Sequence, residues 1–176
     1  MSQTVYQMIG YLLKYPTEDM QKALPDICIE IEKVAAKPVI EKVHQFIDHC
    51  ERMSLDEWIS YYVEYFDFGR LTNLYVTYLK FGEKRERGIE LLKLKQYYEA
   101  HGFTVTDKEL PDYLPLMLEF CAHVPVEVSN ELLHVYSKTI HQIHDQLKKV
   151  NSYYSSLLDA LFLQMKDNGV KNVLEA

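Results

Sequence analysis

The chain has 176 residues, 48% hydrophobic and 26% charged, with a net charge of -7 and a pI near 5.5. That length and apolar fraction suit one compact domain with a full core, and the acidic balance argues against a nucleic-acid ligand, which draws on clustered Lys and Arg. Six glycines, six prolines and three widely spaced cysteines (Cys28, Cys50 and Cys121) leave little for long linkers, a disulfide framework or a zinc knuckle, and imply a reducing compartment.

Met1 to Gly10 lacks a basic region followed by an apolar core, and no stretch approaches the roughly 18 apolar residues of a membrane span, so a cytoplasmic protein is expected. Helical periodicity begins with Val5, Met8, Ile9, Leu12 and Leu13, predicting an amphipathic helix over 4–14 that stops before Pro16. Ile27, Ile31, Val34 and Ala35 predict a second helix over 25–36 with Pro25 in its first turn. A third starts at Pro38 and buries Val39, Val43, Phe46, Ile47 and Cys50.

Ser54-Leu55-Asp56-Glu57 has the pattern of a capping box, with Met53 and Trp58 as its hydrophobic staple, and predicts a helix from Leu55 to about Phe66. Gly69 and Gly82 bracket a further predicted helix over 70–80. Ile89, Leu91, Leu92, Leu94 and Tyr98 mark the next, with Gly102 placed as a left-handed C-terminal cap. Asp112 is positioned to cap a helix that holds Pro115 in its first turn and runs to about His123. A long helix follows from Pro125 to Val150, and Asn151 or Ser152 can cap a last one that ends near Asn168-Gly169. No segment alternates as a strand, so the expected fold is all-α, a single-domain bundle over 1–176 of about eight to nine helices with frayed last residues.

Catalytic chemistry finds little support. Glu119 with His123, and His141 with His144, share helix faces and could chelate, but neither pair has the context of a known metal motif, and structural or solvated roles are preferred. Cys121, beside Phe120, reads as a buried thiol without a nucleophilic partner. The run from Glu83 to Gly88 has the wrong order for a phosphate loop and reads as a mixed-charge helix start, with a binding role for Arg85 or Arg87 as the alternative. Neither a catalytic residue nor a metal site is assigned.

Aromatic residues are the denser signal. Tyr61, Tyr62, Tyr65, Phe66, Phe68, Tyr75, Tyr78 and Phe81 crowd two predicted helices, too many for all to be buried. Some are expected to line a groove, since tyrosine offers wide apolar contact plus one hydrogen bond at low entropy cost. Core packing is the competing role, above all for Phe66 and Tyr75.

Two stretches, Tyr62 to Gly88 (with Phe66-Asp67-Phe68-Gly69-Arg70, Leu74-Tyr75 and Gly82-Glu83-Lys84-Arg85-Glu86-Arg87-Gly88) and Glu109 to Phe120 (Glu109-Leu110-Pro111-Asp112-Tyr113-Leu114-Pro115-Leu116-Met117-Leu118-Glu119-Phe120), resemble signature segments of the nitrate reductase delta subunit family. These are NarJ-type molybdenum cofactor assembly chaperones. Leu12-Leu13-Lys14-Tyr15-Pro16 extends the likeness over most of the first 120 residues, while the C-terminal third matches only in being helical.

The resemblance implies a TorD-like helical fold and no catalysis. It implies a client, the apo catalytic (alpha) subunit of the membrane-associated respiratory nitrate reductase, bound through an N-terminal leader-like peptide. It also implies that the chain supports insertion of the molybdenum bis-guanine-dinucleotide cofactor and membrane assembly without holding the cofactor stably, with the cofactor-insertion machinery as a further contact. Monomer and weak dimer both fit. On this reading Tyr61, Tyr65, Tyr78 and Tyr113 would meet the apolar face of a client helix while Glu109, Asp112 and Glu119 supply charge for its basic positions. Asp112 thus has two roles open to it, cap and contact. Asp67 and Arg70 are expected to fix an interhelix turn by a local ion pair. Pro111 and Pro115 are expected to form a rigid elbow that positions Leu118 and Glu119. Other readings stay open: a chaperone of the same fold for another molybdoenzyme, a helical adaptor, or a small metal-dependent enzyme using Glu119, His123 and one of His134, His141 or His144.

Overall fold

The computed structural model describes residues 2–69 and 71–171. Among them are nine α-helices: α1 (Thr4–Leu12), α2 (Glu18–Val34), α3 (Lys37–Glu51), α4 (Leu55–Tyr62), α5 (Tyr78–Phe81), α6 (Arg85–Ala100), α7 (Leu114–His123), α8 (Val126–Lys149) and α9 (Tyr154–Asp167). A π-helical segment, Val63–Asp67, continues α4. The all-α expectation holds. The described residues contain no strand, only one isolated antiparallel bridge between Tyr75 and Tyr113, and no helix is long and apolar enough to cross a membrane.

Helix α1 buries Val5, Tyr6, Ile9 and Leu12 completely and packs along α7, while α3 packs along α9. Gly10 permits the first pairing: a Cβ there would stand 3.1 Å from both the Leu118 Cβ and the Pro115 carbonyl oxygen. Each large apolar side chain taken out of water in such a seam contributes about 1.5–3 kcal/mol.

The second helix starts earlier than its apolar pattern indicated. Thr17 accepts a hydrogen bond from the Met20 amide at 3.1 Å, and Glu18 and Asp19 fill the first turn, where negative charge is favoured. Pro25 therefore lies inside α2 and not at its start. It sits on the exposed face, where the carbonyl it leaves unpaired can turn to water, while Met20, Leu24 and Ile31 bury the other face.

The capping box forms as its pattern indicated: the Ser54 amide donates to Glu57 Oε2 at 2.7 Å and the Glu57 amide to Ser54 Oγ at 3.2 Å. Trp58 is fully buried and donates from Nε1 to the Tyr154 hydroxyl at 3.1 Å. The α-helix stops at Tyr62, short of Phe66, and the chain widens by one residue, with the Phe68 amide bonding the Val63 carbonyl at 3.2 Å. Tyr62 and Phe66 both stay buried, their rings 4.9 Å apart, and Phe66 lies 4.6 Å from Tyr154.

The helix expected over 70–80 does not form; only Tyr78–Phe81 is helical. Four hydrogen bonds account for this. The Thr72 hydroxyl donates to the Tyr65 carbonyl, Asn73 Oδ1 accepts from the Tyr75 amide, and the chain from Leu74 to Val76 pairs with the approach to α7. That pairing consists of the Val76 amide on the Asp112 carbonyl at 3.0 Å and the Leu114 amide on the Leu74 carbonyl at 2.8 Å. Leu74 and Val76 point into the core while Tyr75 faces out, the alternation of an extended backbone. Arg70, and with it the expected Asp67–Arg70 pair, lies outside the described residues.

Gly102 and Gly169 adopt φ of 84° and 90° as helix-ending residues. Each is followed by an amide that reaches back to the last turn, Phe103 to the Tyr98 carbonyl at 3.0 Å and Val170 to the Met165 carbonyl at 2.9 Å. Ser152 Oγ accepts from the Tyr154 amide at 3.3 Å at the start of α9.

Candidate functional site: an aromatic groove between the signature segments

The paired segments frame an open groove of about 550 Å³ lined by Phe66, Asp67, Phe68, Tyr75, Tyr78, Arg87 and Leu110. The π-helical segment brings Phe68 to its rim, 81% exposed, and Leu110 (42%) extends the apolar surface beside it. An isolated exposed apolar residue is ordinary, but a group of them around a concavity is the form of a binding surface.

Beneath the groove is a buried charge network. The Asp112 carboxylate is wholly inaccessible to solvent; its Oδ2 accepts from the Thr77 amide at 3.2 Å, the Thr77 hydroxyl at 2.6 Å and Arg87 Nη2 at 3.1 Å. Arg87 Nε donates to the Thr77 hydroxyl at 3.0 Å, and the guanidinium lies 5.4 Å from the Tyr78 ring centroid and 6.0 Å from that of Tyr75. The groove wall is thus two tyrosine rings held against a neutralised cation. Asp112 Oδ1 is buried without a partner.

This overturns the expected cap. The first helical turn of α7 follows Tyr113, no side chain caps it, and Asp112 serves the Thr77 amide instead. A carboxylate buried beneath Arg87 also presents no charge to a peptide lying in the groove. Arg87 is committed to the same network, whereas Arg85 is exposed.

Tyr75 donates its hydroxyl to Glu109 at 2.7 Å, and its ring lies 5.3 Å from Tyr113. The Tyr62 and Tyr113 hydroxyls meet at 3.4 Å. Burial first, then the neighbouring Glu109 carboxylate, pushes the Tyr75 phenol up, and burial raises Tyr113. Both remain neutral hydrogen-bonding groups. The Tyr98 hydroxyl, on α6, donates to the Pro111 carbonyl at 2.7 Å and holds the elbow from behind.

Of the expected client-contact residues, the structure brings Tyr78, Glu109 and Tyr113 together around the groove, with Asp112 below. Tyr61 and Tyr65 belong to a second aromatic cluster. The Tyr61 hydroxyl accepts from the Tyr153 amide at 2.7 Å, its ring lies 4.8 Å from Tyr65 and 5.3 Å from His49, and His49 stacks on Tyr153 at 3.7 Å. Glu119 is also elsewhere, 3.8 Å from Lys14 and beside His123 and Phe120 at a concavity of about 300 Å³.

The signature residues Gly82, Gly88, Pro115, Leu118 and Phe120 lie outside the groove's lining. Gly82 has φ 56°, a conformation that favours glycine. Gly88 sits in α6 with open space around it. Pro115 and Leu118 receive Gly10 of α1, and Phe120 packs 4.7 Å from Tyr98. Sequence reasoning missed Leu110 as part of this site and Thr77 as part of the network beneath it. For Leu110 a signal exists, since it is a large apolar residue beside a helix-breaking Pro; for Thr77 none does.

Among the described residues no group of three His, Cys, Asp or Glu side chains could hold a metal ion. His123 is bonded through Nδ1 to the Glu119 carbonyl at 2.8 Å, His141 to the Ser137 carbonyl at 2.8 Å, and His144 donates to Asp159 at 2.6 Å.

A family model described as nitrate reductase delta subunit matches residues 32–162, a span that includes the whole groove. The chain is 40% identical over 173 residues to a Bacillus subtilis (strain 168) protein named probable nitrate reductase molybdenum cofactor assembly chaperone NarJ, covering 98% of this chain and 94% of that one. It is 37% identical over 156 residues to the Escherichia coli (strain K12) nitrate reductase molybdenum cofactor assembly chaperone NarJ, covering 88% of this chain and 66% of that protein. Similarity also extends to the nitrate reductase-like protein NarX of Mycobacterium tuberculosis (strain ATCC 25618 / H37Rv), 28% identical over 157 residues and covering 24% of that longer chain.

Proposed function

Because the chain belongs to the nitrate reductase delta subunit family, we propose that it is a nitrate reductase molybdenum cofactor assembly chaperone that recognises an N-terminal helix of the apo catalytic subunit in the aromatic groove. Its role is binding and not catalysis. The observation that carries the reading is the groove itself: exposed Phe68 and Leu110 around a wall of Tyr75 and Tyr78. An amphipathic helix laid there would cover apolar surface that is otherwise left in water, and its basic positions would meet Asp67 and Glu109 at the rim.

Rigidity favours such binding. The groove wall is fixed by the Arg87–Asp112–Thr77 network and the backbone pairing at Tyr75 and Tyr113, so little ordering entropy is lost when a peptide docks. A chaperone must also release its client, so a micromolar to nanomolar affinity fits, about -8 to -12 kcal/mol. In this reading the chain acts in the cytoplasm, holds its client competent for the bis-guanine-dinucleotide cofactor, and leaves before the enzyme docks at the membrane.

Isothermal titration with a peptide copying the N-terminus of the same organism's nitrate reductase catalytic subunit, beside a scrambled control, tests it. Saturable binding to the native order alone supports leader recognition. Absence of binding to either peptide rejects it and moves the contact to a folded part of the client.

A further inference from the structure

Helix α6 is apolar on two opposite faces. Leu94 and Tyr98 are buried against the rest of the fold, while Ile89 and Leu92 stand 55% and 54% exposed on the outer side. At spacings of three and four, Arg85, Ile89, Leu92, Gln96 and Glu99 form one continuous exposed strip, apolar in the middle and charged at its ends. A Cβ at Gly88 would meet nothing within 4 Å, so beside this strip the backbone itself is open to approach.

The end charges are placed against the helix's own dipole. Arg85 is the first residue of α6, where unpaired amides favour a negative group, and Glu99 is the last but one, where unpaired carbonyls favour a positive group. Among the described residues neither side chain has an ion-pair partner. Each lies seven positions from Leu92, one on either side, or about 10 Å along the axis.

We infer that this face of α6 is a contact between two copies of the chain, paired antiparallel about a two-fold axis at Leu92. Leu92 of each copy then packs on Leu92 of the other with Ile89 at its side, and Arg85 of each copy meets Glu99 of the other at both ends. Each charge also reaches the end of the opposing helix that favours it, whereas a parallel pairing would set Arg85 against Arg85. Opposite charges at equal distances from one apolar centre make the strip complementary to itself, and so call for a second copy as its partner. The contact is small. One helix of about 24 Å per copy buries less than the roughly 1,200 Å² of a standard interface, so dimerisation in the high micromolar range is expected. Arg87 turns to the opposite side of the same helix, into the groove wall, and the inference does not rest on peptide recognition.

Analytical ultracentrifugation of the whole chain tests it, across the micromolar to millimolar range and at low salt, where exposed ion pairs are least screened. The expected result is a reversible equilibrium between monomer and dimer. Leu92→Glu is expected to weaken the dimer at least tenfold with an unchanged thermal midpoint, since the side chain is exposed. Arg85→Glu brings like charges together at both ends and is expected to weaken it about tenfold. The reciprocal variant Arg85→Glu/Glu99→Arg is expected to recover most of that loss, and both of its replacements suit the dipole of α6, so the helix is kept. Three results overturn the inference: a monomer at every concentration, which would leave the face to a different partner; a dimer as tight in Leu92→Glu as in the unsubstituted chain; or a reciprocal variant that dimerises no better than Arg85→Glu alone.

Discussion

Arg87 Nη2 stands 3.1 Å from Asp112 Oδ2, an ion pair closed across 25 positions of chain, with the carboxylate wholly buried and the guanidinium 16% exposed. Each partner comes from a different signature stretch, and Thr77 bonds to both. The pair therefore ties α6, the segment before α7 and the segment before α5 into one wall.

Removing only the cation would strand a buried carboxylate. Arg87→Ala is expected to cost about 3–5 kcal/mol in urea unfolding. Arg87→Lys recovers only part of this, because an ammonium cannot reach Asp112 and Thr77 with a planar fork. In the double variant Arg87→Ala/Asp112→Ala the loss is smaller than the sum of the single losses, since the stranded charge is gone. Equal and additive losses would contradict the coupling.

Gly69→Ala tests the end of the π-helical segment. A Cβ at this position would run into the Tyr65 carbonyl oxygen, which is backbone and cannot rotate away, and into the Thr72 hydroxyl. The expected loss is about 1–3 kcal/mol. Amide exchange should show it concentrated between residues 65 and 75.

Phe68→Ser separates binding from folding. With 81% of its surface in water, its loss is expected to shift stability by no more than about 0.5 kcal/mol. Leader-peptide affinity is expected to fall by roughly tenfold, or about 1.4 kcal/mol. A lowered melting point with unchanged affinity would place Phe68 outside the peptide site.

Acid stability should depend on Asp159. Burial raises its carboxyl, but the His144 hydrogen bond and charge, with Lys148 and Lys42, outweigh burial and hold it below the ordinary aspartate value. A depressed folded value means a contribution present above about pH 4 and lost as pH falls through the folded value. Asp159→Asn is expected to flatten the stability profile below that pH, as read by urea midpoints across the acid range.

Thiol labelling offers a probe of opening. Burial pushes Cys50 and Cys121 far up, and both are inaccessible, whereas Cys28 is half-buried and less strongly raised. Cys28 is expected to react slowly in the native protein and the other two only on unfolding. Native labelling of Cys121 would show that the seam between α1 and α7 opens.

The elements that local chemistry specifies were the legible ones. The Ser54 capping box, the left-handed caps at Gly102 and Gly169, and the long apolar stripe of α8 each need only a few neighbouring residues to act. The start of α2 is written in Thr17 followed by Glu18 and Asp19, a polar signal that the apolar spacing after Pro25 does not carry. The segment after Gly69 was not legible. Leu71, Leu74 and Tyr75 have helical spacing, and what overrides it is pairing with a strip of chain nearly 40 residues away. The same distance hid the fate of Asp112, whose partners Thr77 and Arg87 lie 35 and 25 positions off. The density of aromatics does not separate Tyr61 and Tyr65 from the groove; what does is Tyr61's bond to the Tyr153 amide and its ring contact with Tyr154, with Tyr65 packed on Tyr61.

The single-residue widening at Val63–Asp67 also constrains how this segment can change in length. One residue fewer would restore an ordinary helix and rotate everything after it by about 100°. Phe66 would leave its place beside Tyr154, and Phe68 would leave the groove. Relatives can then exchange side chains here far more freely than they can gain or lose a position, and an alignment gap between Tyr62 and Gly69 would mark a chain whose groove is built differently.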